Sequence, residues 1–230
     1  MAQRRIPAAF IRGGTSKGVF FHERDLPSGR AERDRIFLEA IGSPDPYMRQ
    51  LNGLGGGVSS LSKVVVIALS DRDDADIDYT FVQIGVDEPV VDYDSMCGNL
   101  SSAVGPFAID EGLMQADDGE ALVRVFNTNT QKLYHARFPV RDGEAVVTGS
   151  QTIPGVAGSG ARVALEYLDP AGSRTPGLLP TGKARDTLAL PDGTAVDATL
   201  IDATNPVVVV AAKDFGLTAT EHPEAIDAMK

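Results

Sequence analysis

The sequence contains a single cysteine, Cys97, among its 230 residues. One sulfur excludes an internal disulfide framework and a cysteine-rich zinc site, since both need several cysteines at set spacings. The three histidines, His22, His135 and His222, fall in unrelated contexts, so we expect no metal site and no Cys-His protease dyad. So little cysteine is typical of a cytoplasmic protein, and we expect that localisation.

Long apolar runs and basic clusters are also missing. No segment reaches the roughly 18 consecutive apolar residues of a membrane span, and the N-terminal "MAQRRIPAAFIRGG" lacks the apolar stretch of a signal peptide. The net charge is −11, and no basic cluster is longer than Arg4-Arg5. We therefore expect no membrane and no nucleic-acid partner, and an anionic ligand would need locally placed donors.

What the sequence does contain is 43% hydrophobic residues, enough for a substantial core. Aromatic and β-branched residues around a Gly13-Gly14 turn predict two strands, and "SKVVVIALS" predicts a strand buried on both faces. In "GRAERDRIFLEAIG" one apolar stripe and the closing Gly42 predict a helix. A second, strongly apolar helix is expected after Cys97. The fold class predicted is α+β.

Two segments of the chain are alike. "TSKGVFFHERDL", residues 15–26, aligns with "TNPVVVVAAKDF", residues 204–215, in its apolar run and its basic-acidic pair. Either two buried strands are similar by chance, or an α+β unit is duplicated. The duplication predicts a first domain at residues 1–185 and the opening of a second, incomplete one at residues 186–230.

Cys97 stands where a strand-like segment ends and the apolar helix begins, in "DSMCGNLSSAVG". At a helix N-terminus, unpaired N–H groups and the helix dipole favour a thiolate or a bound carboxylate. The alternative is a buried cysteine that acts only as a small hydrophobic residue. The local sequence leaves both interpretations open.

Lys63 is the second unusual residue, because it lies in the register of the most apolar strand. Desolvation there would lower the lysine pKa and make the amine a usable general base. The alternative is a lysine at the strand end that reaches water or pairs with a carboxylate. The glycines of the preceding "NGLGGGVSS" would let the backbone approach a ligand closely. The alternative is that this segment is a flexible loop.

Four separated motifs resemble the PrpF family of 2-methylaconitate cis-trans isomerases and 4-oxalomesaconate tautomerases: "RGGTSKGVFF", "SSLSKV", "DSMCGN" and "DATNPVVVV". The resemblance implies a fold similar to diaminopimelate epimerase, with two alike domains, each a β-barrel-like sheet around a central helix. It also implies that Lys63 and Cys97 are catalytic. The positions it marks for binding substrate carboxylates are Thr15, Ser16, Lys17, Ser60, Gly98, Asn99 and Asn205.

The activity implied by the resemblance is a cofactor-independent allylic isomerisation of an unsaturated di- or tricarboxylate, with no metal. The related epimerases use two facing cysteines as their catalytic pair. This sequence has one cysteine, so a catalytic pair of one lysine and one cysteine is favoured. Three alternatives stay open. They are an amino-acid racemase with Asp92 or Asp94 holding the ammonium, a non-enzymatic accessory protein of a dehydratase, and a redox thiol at Cys97. The oligomeric state is also open, a homodimer being one option.

Overall fold

The computed structural model describes residues 3–229 of a chain that folds as two compact units. Unit 1 is Met1–Asp169 and unit 2 is Pro170–Lys230. The domain boundary expected from the sequence, between residues 185 and 186, stays a prediction. No helix within residues 3–229 is long and apolar enough to cross a membrane.

Unit 1 is built on a single sheet of nine strands. These are β1 Ala9–Gly13, β2 Ser16–His22, β3 Lys63–Leu69, β4 Ile77–Ile84, β5 Val91–Asp92, β6 Gly119–Asn127, β7 Lys132–Arg141, β8 Glu144–Ala145 and β9 Ala164–Tyr167. The order is β1-β2-β3-β4-β6-β7-β8, while β5 pairs with β4 and β9 with β7. The β2-β3 and β4-β6 pairs are parallel and the others antiparallel. Such mixing brings strands distant in sequence next to one another.

The sheet curls as a half-barrel around one helix, α2 (Gly98–Asp110). This helix is apolar nearly all round, as predicted, because it is packed against the inner face of the sheet. Gly105 lets the helix lie close to β7, since a Cβ at this position would lie 2.5 Å from the Phe138 ring. Pro106 lies within the helix, which runs on to Asp110. The first residues of α2 are therefore held firmly by the core.

A second layer, α1 (Arg30–Ile41), covers the other face of the sheet. Its buried residues lie on the predicted stripe, and it ends at Gly42, whose φ of 82° is left-handed. The strand β3 lies between the two helices. Its side chains alternate between the α2 core and the α1 core, which confirms the strand predicted to be buried on both faces. The α+β prediction is also confirmed.

Within residues 170–229, unit 2 has a three-stranded antiparallel sheet and one short α-helix. The elements are β10 Asp186–Ala189, β11 Ala195–Asp202, β12 Pro206–Val210 and α3 Pro223–Asp227. The segment at residues 204–215 forms the second strand of a hairpin and then a 3₁₀ helix, as the segment at residues 15–26 does. The likeness of the two segments in sequence is thus matched by a likeness in local structure.

Candidate active site

Lys63 is the first residue of β3, and its side chain is turned into the protein, where only 9% of the residue is exposed. The amine Nζ donates a hydrogen bond to Gln83 Oε1 at 2.7 Å and lies 5.0 Å from the centre of the Phe81 ring. Burial lowers the pKa of Lys63, while the negative charge of a Cys97 thiolate and its hydrogen bond act in the opposite direction. The net pKa is below the ordinary value, so the site favours the free amine more than water does.

Cys97 is the N-cap residue of α2, with an extended backbone and no side-chain cap. The residue is 8% exposed and belongs to the α2 core, and its Sγ lies 4.0 Å from Ser16 Oγ. The thiol is therefore buried and also lies at the helix N-terminus, and the choice between the two sequence interpretations stays open. The side chain is close enough to Lys63 to change the pKa of the amine.

The carbonyl of Cys97 is held by three donors. The backbone N–H and the hydroxyl of Ser101 each bind it at 2.9 Å, and the Tyr79 hydroxyl binds it at 3.3 Å. Burial raises the pKa of Tyr79 well above its usual range, so the phenol stays a neutral donor. These bonds fix the peptide that carries the thiol.

The N-terminus of α2 meets the turn between β1 and β2. The register pairs Gly13 with Ser16, so the turn residues are Gly14 and Thr15 rather than the expected Gly13-Gly14. Thr15 N–H donates to Asn99 Oδ1 at 3.2 Å. A Cβ on Gly14, whose φ is 53°, would lie 2.2 Å from that oxygen. Close packing therefore brings the glycine turn against the helix N-terminus.

The first N–H groups of α2 form a group of donors beside the thiol. Ser101 N–H is the donor that closes the first turn onto Cys97, so the N–H groups of Gly98, Asn99 and Leu100 precede the first intrahelical bond. Gly98 and Asn99 are exposed. This end of the helix is suited to an anionic group.

The remaining substrate-binding candidates are Ser60, Lys17 and Asn205. Ser60 is half-buried in the 3₁₀ helix Ser59–Leu61, just before β3. Lys17 lies on the opposite face of β2 from Ser16, with its amine 5.1 Å from the centre of the Phe10 ring. Asn205 belongs to unit 2, directly before β12. Their binding roles stay predictions.

A cavity of about 680 Å³ is lined by Gly14, Gly98 and Asn99, by residues further along α2 and by parts of the segment 145–165. Lys63 and Cys97 are not among its lining residues. The Arg12 side chain also lines it and donates to the Gly14 carbonyl at 2.8 Å. There is thus space for a small molecule next to the helix N-terminus.

Gln83 and Tyr79 are site residues that the sequence reasoning missed. Both lie on β4 and share with Phe81 the face that meets Lys63 and α2. The available signal was the alternation in "IDYTFVQI", which places a polar glutamine in line with two buried aromatic residues. Asp92, the alternative ammonium ligand, lies opposite Gln83 on β5, and its carboxylate accepts the Asp94 N–H at 2.6 Å.

Curated relatives of known name match the chain over nearly all its length. A 3-methylitaconate isomerase of Eubacterium barkeri is 44% identical over 98% of this chain and 58% of the relative. A 4-oxalomesaconate tautomerase of Pseudomonas putida is 44% identical over 99% and 61%. A 2-methyl-aconitate isomerase of Cupriavidus necator is 44% identical over 98% and 60%. The chain thus spans about three-fifths of the length of these relatives.

Solved structures show the same fold. The crystal structure of a methylitaconate-delta-isomerase superposes with a TM-score of 0.78 at 43% identity, covering 98% of this chain and 58% of that one. A hydroxyproline epimerase from Agrobacterium vitis, at 14% identity, gives a TM-score of 0.55 over 92% of this chain and 53% of its own. The expected epimerase-like fold is thereby confirmed. The model of the PrpF protein family matches residues 3–230, and the chain belongs to the PrpF family.

Proposed function

We propose that this chain supplies the proton-transfer residues of an isomerase that moves a double bond in an unsaturated di- or tricarboxylate. The observation that carries the proposal is the buried Lys63 amine beside the Cys97 thiol at the N-terminus of α2. The names of the three relatives denote unsaturated polycarboxylates, and we extend that substrate class to this chain.

Lys63 is the proposed general base. A proton on the carbon next to a conjugated C=C–COO⁻ system is acidic, because its loss spreads negative charge into a dienolate. A free amine removes this proton, and the lowered pKa of Lys63 makes the free amine more available. A positioned acid or base contributes roughly 10²- to 10⁴-fold to a rate.

The N-terminus of α2 is the proposed binding site for the developing charge. The N–H groups of Gly98 and Asn99 and the hydroxyl of Ser16 are donors next to the thiol, and Thr15 lies in the adjoining turn. One fixed donor directed at a developing oxyanion lowers a barrier by about 3 kcal/mol. The substrate carboxylate conjugated to the double bond would occupy this position.

Return of the proton at the other allylic carbon completes the isomerisation. The Lys63 ammonium donates this proton and becomes the free amine again. Alternatively the Cys97 thiol donates it, and the resulting thiolate then takes the proton held by the Lys63 ammonium, which restores both residues. Both steps are proton transfers, so we propose that no cofactor takes part. Cys97 is thus either the acid or a group that adjusts the proton affinity of Lys63.

The test is proton NMR of the 230-residue chain in deuterium oxide with 2-methylaconitate, 3-methylitaconate, 4-oxalomesaconate and the aconitates. We expect deuterium to enter one allylic position of one of these compounds, with movement of its double bond. Lys63→Ala should reduce the rate by roughly 10²- to 10⁴-fold, as expected for loss of a general base. Lys183→Ala, an exposed lysine of unit 2, is the matched control and should keep the rate.

Other outcomes distinguish the alternatives. Exchange at the α-carbon of proline or another amino acid, with none in the polycarboxylates, would replace the proposal by a racemase. Binding of a polycarboxylate without exchange would favour an accessory protein. Equal exchange by the chain and by Lys63→Ala would exclude Lys63 as the base.

A further inference from the structure

Lys63 and Gln83 form a directly opposed pair in the antiparallel β3-β4 ladder. Such a pair places two side chains on the same face with their Cβ atoms about 5 Å apart. The Lys63 amine donates a hydrogen bond to Gln83 Oε1 at 2.7 Å. One acceptor of the proposed base is therefore a neutral side chain.

The orientation of the Gln83 amide is determined by its other contacts. Its Nε2 donates to the carbonyl oxygens of Ser59 and Ser62, both at 3.0 Å. Carbonyl oxygens need donors, so the NH₂ end must face them and Oε1 must face Lys63. The two carbonyls belong to the segment that leads into β3, which ties Gln83 to the backbone next to Lys63.

We propose that Gln83 is a positioning residue that holds the Lys63 amine next to Cys97 while offering it an acceptor without charge. This role deepens the proposed isomerase function and rests on it. A glutamate in the same place would bind the ammonium as an ion pair and keep the lysine protonated. A leucine would neither hold the amine nor satisfy the two carbonyls.

The charges around Lys63 are consistent with this role. From α2, Cys97 is the ionisable group that changes the pKa of Lys63. From β5, Asp92 lies opposite Gln83, but its carboxylate accepts the Asp94 N–H. From β4, Phe81 presents an aromatic ring. Within the described residues, Cys97 is thus the ionisable side chain that acts on the pKa of Lys63.

The test is a pH titration of Lys63 by ¹³C NMR in the full chain labelled at lysine Cε. The chain has six lysines, and the Lys63 signal is assigned by its loss in Lys63→Arg. In Gln83→Glu we expect the midpoint to rise by about one pH unit. At any pH below the midpoint, the fraction of Lys63 present as the free amine is then about tenfold smaller than in the wild type. In Gln83→Leu we expect it to fall, because the ammonium loses its acceptor.

The matched control is Gln131→Glu, an exposed glutamine in the turn between β6 and β7, which should leave the midpoint unchanged. Thermal unfolding of each variant checks folding, and Gln83→Met replaces Gln83→Leu if the latter does not fold. Shifts of opposite sign in the two Gln83 variants support the proposal. Equal midpoints, or shifts of one sign, overturn it.

Turnover separates this proposal from the isomerase function itself. In Gln83→Glu the kcat should fall at neutral pH and recover as the pH rises, in parallel with the Lys63 midpoint. In Gln83→Leu the kcat should stay low at every pH, because a free but unpositioned amine is a poor base. A kcat in Gln83→Glu that keeps the wild-type pH profile despite a shifted midpoint would contradict the role. Absence of turnover in the wild type would reject the isomerase, while the titration would still decide the role of Gln83.

Discussion

At the scale of single residues, the proton affinity of the Lys63 amine is set by its burial and by the neighbouring Cys97. Burial favours the neutral amine, and a neighbouring thiolate favours the ammonium. A lowered pKa lets the amine take up a proton and release it again, which suits the proposed reaction, in which a proton leaves one carbon and returns to another.

Replacing the thiol should make Lys63 a weaker acceptor of protons. In Cys97→Ser the thiolate charge is lost, and this charge is what raises the pKa of Lys63. We expect the Lys63 titration midpoint to fall below that of the wild type, so the free amine persists to lower pH. The ¹³C titration of labelled lysine measures this shift. A midpoint that rises would show that Cys97 does not act on Lys63 as a negative charge.

The glycine turn provides a second residue-scale prediction. Gly14 and Gly112 both have positive φ angles, 53° and 68°, but only a Cβ at Gly14 meets a neighbour, Asn99. Each Gly→Ala change should cost about 1 kcal/mol for the backbone conformation. Gly14→Ala should lose more free energy of unfolding in urea than Gly112→Ala, because Asn99 must move. Equal losses would contradict the close packing of the turn on α2.

At the scale of elements, three pieces of secondary structure carry the site. The strand β3 presents Lys63, β4 presents Gln83, and α2 presents Cys97. The core side chains of α2 pack on the same sheet face that carries these residues. A shift of α2 relative to the sheet would therefore separate the thiol from the amine.

Unit 2 has its own element-scale constraint in the loop before β10. Asp202, which is fully buried, accepts hydrogen bonds from Ser173 Oγ at 2.6 Å and from the N–H groups of Arg174 and Thr175 at 2.7 and 2.9 Å. Burial raises the pKa of Asp202, but the hydrogen bonds lower it by more than burial raises it. The resulting pKa is about 2, below the ordinary value. The carboxylate thus holds the loop at neutral pH.

Because the folded pKa lies below the ordinary value of 3.8, this contribution is present above about pH 4 and is lost as the pH falls through about 2. We expect Asp202→Asn to lose about 2 kcal/mol at neutral pH. The difference from the wild type should shrink as the pH falls toward 2. Urea unfolding across this range measures it, with exposed Asp142→Asn as the control. A difference independent of pH would refute the carboxylate role.

At the scale of the whole molecule, local signals predicted the elements well. The apolar run of β3, the stripe and terminal glycine of α1, and the small apolar residues of α2 each follow from neighbours in sequence. The strand order did not follow, because the parallel β2-β3 and β4-β6 pairs join distant segments. Periodicity fixes which face of a strand is buried, and it does not fix which strand lies beside it.

The same limit applies to the site. Lys63 and Cys97 could be singled out because each conflicts with its local surroundings. Gln83 could not be assigned to Lys63, since that pairing depends on the register between β3 and β4. For Lys17 a local rule was available, because successive residues of a strand point to opposite faces of the sheet. Since Ser16 faces Cys97, Lys17 points to the other face.

The most direct test of the central claim is the titration of Lys63 in the unmodified chain by ¹³C NMR. We predict a midpoint below the ordinary lysine value of 10.5, as expected for a buried amine that acts as a base. A midpoint at or above 10.5 would show a permanently charged lysine. That result would contradict Lys63 as the group that removes the substrate proton.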